Sequence, residues 1–116
     1  MFSKFRSLIF KIDPEIAHNL AIKSLKFNFV TNIFDQNKND PMFQTTLFGK
    51  KIDNPIGMAA GFDKNAEVYN PLFRLGFGFV EVGTVTPLKQ FGNPKPRVFR
   101  LEEDQALINR LGFNSF

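Results

Sequence analysis

Residues 55–87, PIGMAAGFDKNAEVYNPLFRLGFGFVEVGTVTP, decide the fold class. Pro55 to Ala60 is an apolar run of strand length that ends in Gly61-Phe62-Asp63-Lys64. Ala66 to Leu75 carries helical spacing through Val68, Leu72, Phe73 and Leu75, and Gly76 and Gly78 stop it. Phe79-Val80-Glu81-Val82 is the next strand, followed by Gly83-Thr84-Val85-Thr86-Pro87. Strand, loop, one short helix, strand is the order of a βαβ unit in a parallel sheet, so an α/β fold is predicted.

Upstream of this unit, Thr45-Thr46-Leu47-Phe48, Gly49-Lys50 and Lys51-Ile52 predict a short hairpin. Asn32 to Met42 is rich in Asp and Asn, carries Pro41, and reads as a linker. Before it come two helices. In the first, Phe2, Phe5, Leu8 and Ile9 recur at spacings of three and four. The second starts at Asp13-Pro14-Glu15: Asp13 is the N-cap, Pro14 suits the first helical position, and Glu15 favours the positive end of the dipole. It runs to about Phe27, with Ala17, His18, Ala21, Ile22, Leu25 and, if it extends that far, Phe29 on one face. Glu15, Asn19, Lys23 and Lys26 lie mostly on the other. The pair is a basic amphipathic hairpin, able to bury its apolar faces on its own domain, on a partner helix or in the interface of an anionic membrane.

Downstream, Gln90 to Arg97 reads as loop, Val98 to Leu101 as a short strand, and Ala106-Leu107-Ile108 as a third apolar run. About 75 residues follow the linker, against roughly 250 in a closed (β/α)8 barrel. The expectation is a truncated piece of a larger fold, an open set of three strands with exposed parallel edges.

Composition narrows the function classes. With no cysteine and one histidine, disulfides, thiolate metal sites and a cysteine nucleophile are excluded, and no metal site is expected. The net charge is +4, of which +3 falls in residues 1–27, an uneven placement that argues against nucleic-acid binding. No apolar run approaches the roughly 20 residues of a membrane span, and the N-terminus lacks the pattern of a cleaved leader. The chain is expected on the cytoplasmic side.

Three stretches suit a ligand. The Ala59-Ala60-Gly61-Phe62-Asp63-Lys64 turn offers small residues for close backbone approach to a flat ligand, with a lysine for charge, though a Gly-Phe-Asp turn beside an exposed lysine is also commonplace. It lacks the glycine spacing and the Lys-Ser/Thr ending of a phosphate-binding P-loop. Thr84, just past a strand, can bond a ligand or merely cap a turn. Asn109-Arg110-Leu111-Gly112-Phe113-Asn114 suits a polar ligand or an ordinary turn. His18 and Arg100 each read equally as structural residues.

Taken together, Asp13 to His18, Asn54 to Lys64, Gly76-Phe77-Gly78, Glu81 to Pro87, Gly92 to Leu101 and Ile108 to Asn114 closely resemble the class 2, quinone-dependent dihydroorotate dehydrogenases. The resemblance implies an FMN enzyme on a (β/α)8 TIM barrel that oxidises dihydroorotate to orotate in pyrimidine synthesis and passes electrons to ubiquinone or menaquinone. It implies three regions: a membrane and quinone extension over 1–30, a linker over 31–44, and the first portion of the catalytic barrel over 45–116. By this resemblance Ala60, Gly61, Phe62, Asp63, Lys64 and Thr84 line the flavin. Lys64 also nears orotate, its ammonium suited to the reduced flavin and to the substrate carboxylate. Asn109, Arg110, Leu111, Gly112 and Phe113 hold orotate, and His18 and Arg100 line the quinone tunnel. The extension implies peripheral attachment to an anionic membrane surface on the cytoplasmic side.

The departure from the family pattern is truncation. The catalytic base is expected beyond Phe116, so no catalytic residue is assigned, turnover by these residues alone is not expected, and FMN binding is expected to be weak. A different class of reading is a non-enzymatic module whose basic hairpin binds a membrane or a partner. Nothing in the sequence sets an oligomeric state.

Overall fold

The computed structural model describes residues 2–27 and 40–115, with side chains from Arg6 onward. The side chains of Phe2 and Phe5, all of Phe29, and most of the predicted linker lie outside the described residues. Helix α1 spans Phe2–Ile9 and α2 spans Pro14–Lys26. Asp13 caps α2 as its sequence predicts, its Oδ1 accepting from the backbone N–H of Glu15 at 2.9 Å and of Ile16 at 3.0 Å.

A 3₁₀ turn over Pro41–Phe43 leads into β1 (Thr45–Leu47) and β2 (Lys50–Ile52), the predicted antiparallel hairpin, with Leu47 opposite Lys50. Next come β3 (Gly57–Met58), α3 (Tyr69–Arg74) and β4 (Phe79–Val80). β3 and β4 are parallel, Gly57 opposite Phe79 and Met58 opposite Val80, so the predicted βαβ unit is present. A Cβ on Gly57 would stand 2.2 Å from the Phe79 ring, so the ring occupies the space that any larger residue would need.

The helix of this unit is shorter than its spacing predicts. The buried Asp63 carboxylate accepts from the N–H groups of Glu67 and Val68 at 2.7 and 2.8 Å, which holds 63–68 as a turn. The helix begins only at Tyr69 and tolerates Pro71 because a first-turn residue needs no intrahelical N–H bond.

The chain divides into two compact units, Ile22–Val85 and Met1–Ala21 with Thr86–Phe116. In the first, Ile22 and Leu25 from the end of α2 are buried with Val68 and Leu72, and Met58, Phe62, Leu75, Phe77 and Val80 pack around them. Lys26 hydrogen-bonds Glu67 at the rim of this core.

In the second unit β5 (Val98–Leu101) pairs with β6 (Ala106–Asn109), Val98 opposite Asn109 and Leu101 opposite Ala106. This corrects the expected three-strand parallel piece: the third apolar run folds back on β5 instead of joining β3 and β4. The reason is length, because the four residues 102–105 between the strands allow only an antiparallel return, whereas a parallel crossover needs a dozen or more. Gln90 and Ser115 form an antiparallel bridge that closes the loop around this hairpin.

Candidate functional site

The predicted ligand residues fall into both units, and each set has its own geometry. In the Ile22–Val85 unit, the loops that leave β3 and β4 are joined by their backbones. The Gly61 N–H donates to the Gly83 carbonyl at 2.9 Å, and the Gly83 N–H to the Asp63 carbonyl at 3.3 Å. The segment from Ala60 to Lys64 and Thr84 are thereby brought together at the C-terminal end of the parallel pair, the end where α/β folds place ligands.

Gly61 sits at φ +100°, which favours glycine, and a Cβ there would meet nothing within 4 Å. Ala59, Ala60, Gly61 and Thr84 are exposed, so small residues and a hydroxyl line an open lip that suits a flat ring system. Beneath it Asp63 is 1% exposed and Phe62 packs on the core, so those two side chains support the lip while their backbone takes part in it. Lys64 is half-buried at the end of the turn.

In the other unit, Asn109 is the last residue of β6 and Arg110 to Phe113 follow it. The Arg110 N–H donates to the Arg97 carbonyl at 2.8 Å, and Asn93 donates through Nδ2 to the Arg110 carbonyl at 2.7 Å. The Arg110 guanidinium turns back to the Pro96 carbonyl, at 3.2 Å from Nε and 3.0 Å from Nη2, and lies 5.9 Å from the Phe99 ring centroid. Its charge is therefore directed into the hairpin, while Asn109, Gly112 and Phe113 are exposed. Asn109 Oδ1 accepts from the Leu111 N–H at 3.4 Å.

Arg100 and His18 belong to this same unit. The Arg100 Nη1 donates to the carbonyls of Phe10 and Ile12 at 3.1 and 2.7 Å, and the guanidinium stacks 4.8 Å from the Phe10 ring centroid, so Arg100 clamps the turn between α1 and α2. His18 is half-buried on α2.

Sequence reading missed a polar group of this unit that makes four side-chain hydrogen bonds. Arg97, in a stretch read as loop, is buried and donates to Glu15 Oε1 from Nε at 3.0 Å and from Nη2 at 2.9 Å. Its Nη1 donates to the carbonyls of Phe91 and Asn93 at 2.7 and 3.0 Å. Glu15, assigned to the polar face of α2, is instead drawn inward, its side chain only 16% exposed. Glu15 and Arg97 both lie in stretches that carry the family resemblance, but an arginine beside a strand does not by itself point to a partner 82 residues away. Among the described residues no group of His, Cys, Asp and Glu is arranged to hold a metal.

The model of the dihydroorotate dehydrogenase family matches residues 42–116. A relative named dihydroorotate dehydrogenase (quinone), from Agrobacterium fabrum, is 57% identical over 110 residues, covering 95% of this chain and 30% of that protein. One of the same name from Rhodospirillum rubrum is 56% identical over 108 residues, covering 93% of this chain and 29% of its own length. The crystal structure of DHODH from Eimeria tenella in complex with ferulenol superposes with a TM-score of 0.81 at 48% identity, covering 89% of this chain and 27% of that one. The chain thus spans about 30% of the length of the curated relatives it matches.

Proposed function

This chain belongs to the dihydroorotate dehydrogenase family, and on that premise we propose that it is the N-terminal section of a quinone-linked enzyme that oxidises dihydroorotate to orotate. The β3–α3–β4 unit is then the opening of a (β/α)8 barrel, and the two N-terminal helices are the extension that meets quinone and membrane. The observation that carries this reading is the lip built by the hydrogen-bonded loops after β3 and β4, where Gly61 leaves open space beside Thr84 and Lys64.

The group that fits there is FMN, which supplies a two-electron acceptor when bound. The backbone from Ala60 to Lys64 and the Thr84 hydroxyl line it, and the Lys64 ammonium supplies positive charge for the substrate carboxylate. Asn109 to Phe113 meet orotate. Arg110 contributes there through its backbone, since its guanidinium is held by Pro96.

His18 and Arg100 border the path of ubiquinone or menaquinone. On α2, Ile16 and Leu20 are 53% and 51% exposed, one turn apart, and Leu8 on α1 is 62% exposed. With Arg6 and Lys11 nearby in sequence, these residues suit peripheral contact with an anionic membrane on its cytoplasmic side. Among the described residues no helix is long and apolar enough to cross a membrane.

The test is FMN fluorescence titrated with the chain and with a Gly61→Val variant, whose β-branched side chain opposes φ +100°. Quenching that is saturable in the unaltered chain and at least fivefold weaker in the variant supports the site. Equal quenching by both removes the lip from the reading.

A further inference from the structure

We infer that the Glu15–Arg97 ion pair is a positioning device that couples the quinone-facing helix to the substrate-facing loop. It rests on the roles proposed above for α2 and for residues 109–113, and all of its groups lie within one compact unit.

The Arg97 side chain is 7% exposed and its partner Glu15 16%. One planar guanidinium makes four directed bonds, two to a single Glu15 oxygen and two to the carbonyls of Phe91 and Asn93. Lysine, a single point of charge, cannot reproduce that fork. A buried ion pair adds little net stability over an apolar pair of the same volume, so what it contributes here is geometry.

That geometry has two ends. Glu15 lies three residues before His18, which places both on one side of α2. Arg97 leads directly into β5, where Arg100 grips the Phe10 and Ile12 carbonyls just ahead of the same helix. In the other direction, the Arg97 carbonyl accepts from the Arg110 N–H, and Asn93, whose carbonyl accepts from Arg97 Nη1, donates its backbone N–H to the Leu111 carbonyl at 3.1 Å. Gly92 permits this approach: a Cβ there would stand 2.1 Å from the Leu111 carbonyl oxygen and 3.0 Å from Arg97 Nη1. A shift of the first turn of α2 is therefore passed through one guanidinium to the backbone of residues 110–111.

The experiment is amide hydrogen exchange by NMR on the 116-residue chain and on Glu15→Gln, Arg97→Lys and Ile16→Ala, with and without orotate. Glu15→Gln keeps the shape and removes the charge, and Ile16→Ala trims an exposed neighbour on the same turn. Without ligand, both pair variants are expected to exchange at least tenfold faster at Asn93 and Arg110, and Glu15→Gln is expected to shift the Arg97 Nε–H signal. Ile16→Ala, and the amides of Gly61 and Gly78 in the other unit, are expected not to change. Unaltered exchange at Asn93 and Arg110, or equal acceleration at Gly61 and Gly78, overturns the coupling. With orotate, protection of residues 109–113 that is lost in Glu15→Gln supports the coupling, and protection retained in that variant overturns it. No protection by orotate in any chain removes the substrate assignment alone, because the ligand-free exchange still decides the pair.

Discussion

The two units of this chain are held together by different physics. The Ile22–Val85 unit has a small apolar core in which Val68 and Leu72 are 0% and 1% exposed. The Met1–Ala21 and Thr86–Phe116 unit has no fully buried large apolar side chain among its described residues. Its organising group is Arg97, tied to Glu15 and to two backbone carbonyls. Apolar burial tolerates adjustment of shape, whereas a charged fork holds only one arrangement, so the first unit draws its stability from area and the second its definition from direction.

The largest expected effect tests the apolar side. Leu72→Ala removes about 3–4 kcal/mol in chemical denaturation through lost burial and the cavity left behind, and a loss under about 1 kcal/mol would mean that this unit is not core-limited. Arg97→Ala on the polar side strands the Glu15 carboxylate and two carbonyls, and a loss of about 3 kcal/mol is expected. If methionine at the same position restored full stability, direction would matter less than volume and the contrast would fail. Asp63→Ala leaves the buried Val68 N–H and the part-buried Glu67 N–H without their acceptor, for about 2 kcal/mol.

The smallest effect is a pH dependence. The Glu67 carboxyl is held below its ordinary value of 4.5 by the hydrogen bond from Lys26 and a second from Asn65. Its contribution is therefore complete above 4.5 and lost as pH falls through the lowered value. Both side chains are more than a third exposed, so Glu67→Gln removes at most about 0.5 kcal/mol at neutral pH and flattens that part of the acid limb. Thermal melts of both chains from pH 7 to 3 that run parallel would sink this assignment.

The same contrast explains what could be read from the sequence. The hairpin over 45–52, the parallel pair and the α2 cap were legible because each rests on local spacing or on a residue type with one preferred position. Helix α3 was overextended because Asp63 competes for two backbone N–H groups four and five residues away, a choice that periodicity does not display. The strand at 106–109 was visible as an apolar run but its direction was not, since that depended on the short turn before it. Of the candidate ligand residues, the turn at 60–64 and Thr84 stood out and are brought together by the backbone bonds at Gly61 and Gly83. The Glu15–Arg97 contact joins positions 82 residues apart, beyond the reach of any local pattern.

The Phe79 ring over Gly57 also constrains how this sequence can change over generations. A replacement of Gly57 by any residue with a Cβ meets the far end of the Phe79 ring, so it is accommodated only where that side chain turns aside or is itself smaller. The two positions are therefore coupled in what they can accept: a larger residue at 57 goes with a displaced or narrower side chain at 79.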